Sequence, residues 1–385
     1  LQIKPNKKIF NNPHFQGIGM REYSLYSKED IDNFHSGRIN ELLNKFPEVK
    51  KDLIYNKSDH IKKLFINKNI RNSNKREYST SGTTGESLKF RVDPVFCIYR
   101  NSYIVQKILN HYGIDIFDVT IINISPHRQM QNSLKEGDLG IPGNYISIRD
   151  TYLEEIKDKF KGKDVVIMSS PSIYNKIKNS HIDLGWNLKL CISSLERLIN
   201  KKELEEYYKC KCVDWITCFD GGMSAWECSR GLYHIDFELC RVFNDEDNRL
   251  IMSDLWNDRE LFYNYFNGDF GIVSGEECPC GNNGYILDKY LGRETEILEA
   301  NGKKIYGMEI YTTLFPDLTF AESILKQDKT GITFYYNGGN VEDVNKMTER
   351  MQHLFGNNYK IKEENDISFF EPYKGKKKRI FNESI

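Results

Sequence analysis

The sequence has no apolar run approaching the ~18 residues of a membrane span. Its longest clean runs, such as Val165 to Met168, have only strand length. With a mean hydropathy of -0.58, a soluble chain is expected. Net charge is almost absent, 54 basic against 55 acidic residues, which argues against a generally basic nucleic-acid binder and a polyacidic tail protein. The cysteine count, nine, is odd in a large chain, so a disulfide framework is not expected and a reducing cytoplasm is the default. No internal repeat and no low-complexity tract is found. The first residue is Leu1 rather than Met, so preceding residues are expected to be missing. The opening Leu1 to Lys8 has no apolar core of a secretory signal.

What is present can build a core. The 385 residues suggest two or three domains. Apolar residues three and four apart predict helices over Lys28–Phe46 and Lys50–Lys68, the first capped by Ser27. From about residue 78 to 290, strand and helix patterns alternate. Strands are expected at Thr120–Ile124, Tyr145–Ile148, Asp164–Met168, Leu188–Ile192, Trp215–Phe219, Arg249–Ser253 and Leu261–Phe266. Helices are expected at Pro94–Tyr112, Tyr152–Lys159, Pro171–Lys178 and Lys201–Tyr208. Asp93 is a suitable cap for the first of these and Pro94 a suitable first residue. Such alternation argues for an α/β domain. After about Arg293 the pattern changes to a strand (Ile332–Tyr336), an amphipathic helix (Val341–Phe355) and a strand (Tyr359–Glu363). The expected fold class is therefore α/β: a large N-terminal domain of sheets flanked by helices, residues 1–291, and a small mobile α+β domain, residues 292–385.

Two segments carry chemistry. In Tyr78 to Phe90, two glycines bracket two threonines after a run of hydroxyl residues. Glycine lets backbone amides converge on an anion, and each hydroxyl adds a donor. No Gly-Lys-Ser/Thr follows, so this is not a Walker A loop; a polar hairpin turn is the alternative. The second is a thiol and imidazole set. Cys278 and Cys280 form a two-thiol hook before Gly281, and Cys228 and His234 flank a short loop. Two such pairs, brought together, would supply the tetrahedral set that zinc prefers. Unlinked buried cysteines and a surface histidine are the alternative, and Cys210-Lys-Cys212 is a competing ligand pair. Four protein ligands leave no open position, so the zinc would be structural.

The glycine and threonine loop resembles the phosphate-binding loop of the adenylate-forming superfamily of acyl-CoA synthetases, aryl-acid ligases and carrier-protein adenylation domains. Thr80-Ser81-Gly82-Thr83-Thr84-Gly85 matches its form throughout, with Glu86 where the family has Lys. Further stretches resemble the family in the same order. Asp164 to Ser172 resembles its strand leading into a Pro-Ser helix start. Ser193-Ser-Leu-Glu196-Arg-Leu resembles its adenine turn, and Tyr263-Asn-Tyr-Phe-Asn-Gly-Asp269 its Tyr-Arg-Thr-Gly-Asp motif. Leu291-Gly-Arg293-Glu-Thr-Glu resembles its hinge, and Gly375-Lys376-Lys-Lys-Arg379 its terminal Gly-Lys-x-x-Arg. The resemblance runs from about Tyr78 to the C-terminus. Within the superfamily it is greatest to the compact phenylacetate–CoA ligase-like branch, several members of which carry a Cys/His metal site.

The resemblance implies a two-step reaction. A carboxylate attacks the α-phosphate of ATP to give an acyl-adenylate, and the acyl group passes to a thiol of coenzyme A or of an acyl carrier protein. Ser81 to Gly85 would hold the phosphates with Thr80 beside them, and Mg²⁺ would bridge the β- and γ-phosphates. Glu196 would belong to the adenine turn, Asp269 would bind the ribose hydroxyls, and Arg293 would contact ribose or phosphate. Lys376 would neutralise the carboxylate–phosphate transition state. Its surroundings, Lys374 to Arg379, also fit a plain solvated basic run. His127 would gate the acyl pocket, with Gly221, Gly222 and Met223 giving room for an aryl or small acid. Zinc would sit beside Asp269. The magnesium-binding Glu is missing from Phe219 to Ser224, with Asp220 and Glu227 as its possible substitutes, and Thr295 holds the hinge position. An acyl-protein synthetase and a degenerate nucleotide-binding protein are the competing readings. Neither a nucleic acid nor a membrane is an expected partner.

Overall fold

A computed structural model of the chain describes residues 27–61, 76–79, 88–92, 94–125, 144–218, 220–257, 259–316, 318, 320–370 and 379–383. The first helix, α1 (Lys28–Leu43), begins at the expected cap. Ser27 Oγ accepts from the Asp30 amide at 3.2 Å, and the Asp30 carboxylate accepts from the Ser27 amide at 2.9 Å. This reciprocal pair satisfies two donors that the first turn leaves open. Ile39, Leu42 and Leu43 pack on Leu255, Leu261 and Tyr263.

The helix expected over Lys50–Lys68 does not start where the periodicity puts it. Tyr55–Asn56 is a short strand, β1, followed by a single helical turn at Lys57–Ile61. Asn56 Oδ1 accepts from the Ser58 amide at 2.9 Å, so the asparagine resets the helix start. Residues 62–68 of that expectation lie outside the described residues.

β2 (Arg76–Ser79) and β3 (Lys89–Val92) pair antiparallel, with Ser79 opposite Lys89. Residues 80–87, which join them, lie outside the described residues, as does Asp93. α2 (Pro94–His111) follows. Then come β4 (Thr120–Ser125), β5 (Asn144–Arg149), β6 (Asp164–Ser169), α3 (Pro171–Asn179), β7 (Asn187–Ser193), α4 (Lys201–Tyr208) and β8 (Lys211–Thr217). These strands lie parallel in the order β5-β4-β6-β7-β8. Their runs are apolar on both faces because α2 covers one side and α3 and α4 the other. The helix expected at Tyr152–Lys159 is one α-turn, Leu153–Ile156, between 3₁₀ turns.

The sheet then turns antiparallel through β9 (Ser224–Glu227), β10 (Tyr233–Ile235), β11 (Cys240–Asn244), β12 (Arg249–Asp254), β13 (Tyr265–Ser274) and β14 (Ile286–Arg293). The order continues β8-β9-β10-β14-β13-β12-β11, and β1 adds to β13. The strand expected at Leu261–Phe266 starts at Tyr265, because Asn264 adopts φ 42°, a left-handed turn that interrupts it.

Beyond Arg293 the chain builds a separate core. β15 (Leu298–Ala300) and β16 (Lys303–Ile305) form a hairpin, followed by α5 (Gly307–Leu314), β17 (Glu322–Asp328), β18 (Gly331–Asn337), α6 (Val341–Phe355), β19 (Tyr359–Glu363) and β20 (Ile380–Asn382). The last four strands form a sheet of order β19-β18-β17-β20. Met347, Met351 and Phe355 of α6 pack with Phe334, Leu314 and Ile380. Among the described residues, no helix is long and apolar enough to cross a membrane.

Candidate functional site

Parallel strands direct their carboxyl ends to one edge, where loops can present ligand-binding groups. β7 ends there at Ser193 and β8 at Thr217. After β7, the turn carries Leu195 at φ 74° and half exposed. Glu196 then reaches back to the start of α3, where its Oε1 accepts from Ser172 Oγ at 2.8 Å and its Oε2 from the Ser172 amide at 3.2 Å. Glu196, expected near the nucleotide, thus also closes the α3 N-terminus and fixes the turn.

Asp269 lies at the centre of a buried polar cluster. It pairs across the ladder with Arg293 of β14, and Arg293 Nε is 3.3 Å from its Oδ1. The Tyr290 hydroxyl donates to the same oxygen at 2.8 Å, and Asn267 Nδ2 donates to Oδ2 at 2.6 Å. Asp269 raises the guanidinium pKa of Arg293, so that residue stays charged. Cys218, just after β8, donates to Asp220 at 3.1 Å and lies 3.0 Å from Asn267 Nδ2. The Tyr265 hydroxyl donates to the other Asp220 oxygen at 2.8 Å. Asp220 and Asp269 therefore belong to one cluster.

Glu227 does not. It accepts from the Asp214 amide at 3.2 Å and from Lys201 Nζ at 2.5 Å. It also lies three residues along β9 from Ser224, or about 10 Å at the usual strand rise. The structure thus separates the two substitutes that the sequence left open.

Around Gly221, Gly222 and Met223, the residues expected at the acyl pocket, the packing is close. A Cβ on Gly221 would meet Met252 Sδ at 2.1 Å, and one on Gly222, at φ 73°, would meet Asp254 at 2.7 Å. These glycines admit the neighbouring Met252 and Asp254 side chains at close range. Met223 is fully buried in the core with Phe90, Met252 and Leu287. Thr80 to Gly85, His127 and Lys376 lie outside the described residues.

The cysteine and histidine set converges. The ligand atoms of Cys228, His234, Cys278 and Cys280 all lie within 4.8 Å of one another. Cys228 Sγ and Cys278 Sγ are 3.8 Å apart, and Cys280 Sγ is 3.2 Å from His234 Nε2. Two thiolates at zinc–sulfur distance in a tetrahedron would be about 3.8 Å apart, so the residues fit that group. Gly281, at φ 86°, turns the hook. Burial lowers the pKa of His234 to about 4, keeping its imidazole neutral and able to ligate, and raises that of Cys280 to about 12. Cys210 stands apart, 3.6 Å from Cys191.

The tetrad is not beside Asp269. His234 pairs with Ile286, which pairs with Ser274, five residues along β13 from Asp269. At strand rise, that is roughly 17 Å. The sequence placed them together because His234 and Cys278 are near Asp269 in chain order; the long antiparallel strands carry them to opposite ends.

No family model and no curated protein matches the chain by sequence. Solved structures do match. The chain superposes on 2-hydroxyisobutyryl-CoA ligase, in the postadenylation state in complex with R3-HIB-AMP, with a TM-score of 0.72 at 13% identity, covering 94% of this chain and 91% of that one. With the same ligase in complex with 2-HIB-AMP and CoA, in the thioesterification state, the TM-score is 0.56 at 15% identity over the same shares of both chains. An anthranilate CoA ligase in complex with anthranoyl-AMP matches with a TM-score of 0.53 at 14% identity, covering 79% of this chain and 64% of that one. With its parallel strands turning antiparallel and a separate core beyond Arg293, the chain has the fold of the adenylate-forming CoA ligases.

Proposed function

We propose that this chain is an AMP-forming acid–thiol ligase, which activates an aryl or small carboxylic acid with ATP and transfers the acyl group to coenzyme A or a carrier-protein thiol. The observation that carries this reading is the Asp269 cluster. A buried carboxylate, held by Tyr290, Asn267 and Arg293 at the junction of two cores, suits a pair of ribose hydroxyls as donors. The fold shared with ligases crystallised on acyl-adenylates supports it.

In this reading residues 80–85 hold the phosphates, Glu196 fixes the adenine turn, and Arg293 supplies positive charge beside the ribose. Lys376 supplies the charge that lets two anions approach. Mg²⁺, when bound, neutralises phosphate charge, and Asp220 is the carboxylate on the nucleotide side that fits it. Residues 1–291 form the large domain and 292–385 the small one that closes over it. Zinc would be held by Cys228, His234, Cys278 and Cys280, tying strand β10 to the loop after β9 and the turn before β14, away from the reaction; this set also supports the phenylacetate–CoA ligase-like branch. Acyl carriage on the protein's own cysteine finds no support in Cys218, the thiol next to Asp220. It is buried, and burial and the nearby Asp220 carboxylate push its pKa well above the usual thiol range.

Exchange of labelled pyrophosphate into ATP, run with a panel of aryl and short-chain acids, tests the reading. Stimulation by at least one acid is expected. No exchange with any acid, in protein that binds ATP, would instead favour a non-catalytic nucleotide-binding protein.

A further inference from the structure

The side chain after Glu196 does something the adenine-turn resemblance does not assign. Arg197 Nη2 is 2.7 Å from Glu296 Oε2, in an ion pair whose side chains are only 17% and 9% exposed. Glu296 sits in the 3₁₀ turn just past Arg293, and its Oε2 also accepts from the Arg293 amide at 3.3 Å. The Arg197 guanidinium lies over two rings as well, 5.2 Å from the centre of Tyr290 and 4.9 Å from that of Tyr311. Tyr311 belongs to α5, and its hydroxyl accepts from the Arg379 amide at 3.1 Å. One side chain from the large sheet's edge thus touches the residues before the junction, the junction itself and the first helix beyond it.

The backbone is shaped for this contact. Gly292 has φ 115°, and a Cβ there would come within 3.1 Å of Arg197 Nη2 and 3.3 Å of Gly307. A Cβ on Gly307 would meet Glu296 Cβ at 2.9 Å. Both glycines therefore let the junction close on the arginine.

We propose that Arg197 is a positioning residue: a latch that holds the C-terminal unit in the adenylation-side arrangement and must release Glu296 before thiol transfer. This rests on the ligase reading. The arrangement has independent support, since the chain superposes at a TM-score of 0.72 on a ligase in its postadenylation state and at 0.56 on the same ligase in its thioesterification state. A rotation about residues 292–296 would carry Glu296 and Tyr311 away from Arg197, so the pair would exist in one state only. Buried on both sides, it favours that state and leaves an unpaired charge if one partner is removed.

Hydrogen exchange on the substrate-free protein tests the latch. Arg197→Ala should speed exchange in 293–297 and 307–314 at least tenfold, with β6 unchanged. Glu296→Gln should do the same, and the double variant should be no faster than either single one. Additive effects, or loss of protection throughout the molecule, would overturn the latch. The second readout separates the half-reactions, using an acid that supports pyrophosphate exchange, with coenzyme A as thiol. Arg197→Ala should slow adenylation about tenfold while transfer from preformed acyl-adenylate is unchanged or faster. Equal loss in both steps would mean a merely structural role. Coupled local exchange in a chain that adenylates no acid would remove the ligase reading and leave Arg197–Glu296 as a hinge clamp.

Discussion

The Tyr265 hydroxyl donates to Asp220 at 2.8 Å, and the other Asp220 oxygen accepts from Cys218, whose sulfur lies 3.0 Å from Asn267 Nδ2 in the Asp269 cluster. Where the family resemblance expects a glutamate to bind magnesium, the chain has none, and Asp220 is the acid on that side. Asp220→Asn should therefore lower pyrophosphate exchange by about 100-fold and raise the Mg²⁺ concentration needed for half-maximal rate. Tyr265→Phe should cause a smaller loss, since it frees the carboxylate without removing it. Glu227→Gln should leave the Mg²⁺ requirement alone. A Mg²⁺ titration of the three variants decides; if only Glu227→Gln shifts the midpoint, the assignment is reversed.

The Cys228, His234, Cys278 and Cys280 set brings together the loop after β9, strand β10 and the turn before β14. If it holds zinc, purified protein contains one metal per chain by elemental analysis. Cys278→Ser with Cys280→Ser removes two of four ligands, so the metal should be lost and the melting temperature should fall. Cys210→Ser should change neither, because its thiol faces Cys191 rather than the tetrad. Metal-free protein of unchanged stability would refute the site.

How much of this was legible in the sequence varies with the physics involved. Parallel strands such as β6 and β7 were readable because they are continuous apolar runs between helices. Short antiparallel strands such as β10 were not, since three residues carry no pattern. The Cys228, His234, Cys278 and Cys280 set was readable as ligand spacing, but its distance from Asp269 was not, because register is fixed by pairing rather than by chain order. The close packing at Gly221 and Gly222 was not legible, because the side chains they admit, Met252 and Asp254, are distant in sequence. Arg197 gave no signal at all, since its partners Glu296 and Tyr311 lie about a hundred residues away.

Asp214 gives a pH prediction. Burial, with the nearby Glu227 carboxylate, raises its pKa to about 7 from 3.8, although the Tyr233 hydroxyl donates to it at 2.9 Å. The folded protein thus holds a proton that the unfolded chain releases above pH 3.8. Between about 3.8 and 7 the folded state binds more protons, so this group's contribution to stability falls as pH rises through that window. Asp214→Asn keeps the acceptor for Tyr233 and removes the charge. It should raise the melting temperature at pH 8 and have little effect at pH 4. Equal melting shifts at both values would show that Asp214 is not the titrating group.

Lys376 is the remaining expectation. Arg379, three residues on in the sequence, has its amide anchored on the Tyr311 hydroxyl of α5. In the proposed ligase reading Lys376 belongs to the C-terminal unit, which would present it to the reacting centre in one arrangement only. Lys376→Ala should therefore lower adenylation by several orders of magnitude and largely spare acyl transfer from preformed acyl-adenylate. A lysine that only adds solubility would affect neither step, and one that binds the pantetheine arm would affect the second more. Arg197→Ala weakens the same step by loosening the unit rather than by removing the charge. Combining it with Lys376→Ala should add little, because once the lysine is gone its placement no longer matters. A multiplicative loss in the double variant would show that the two residues act independently, and that the latch does not work by placing Lys376.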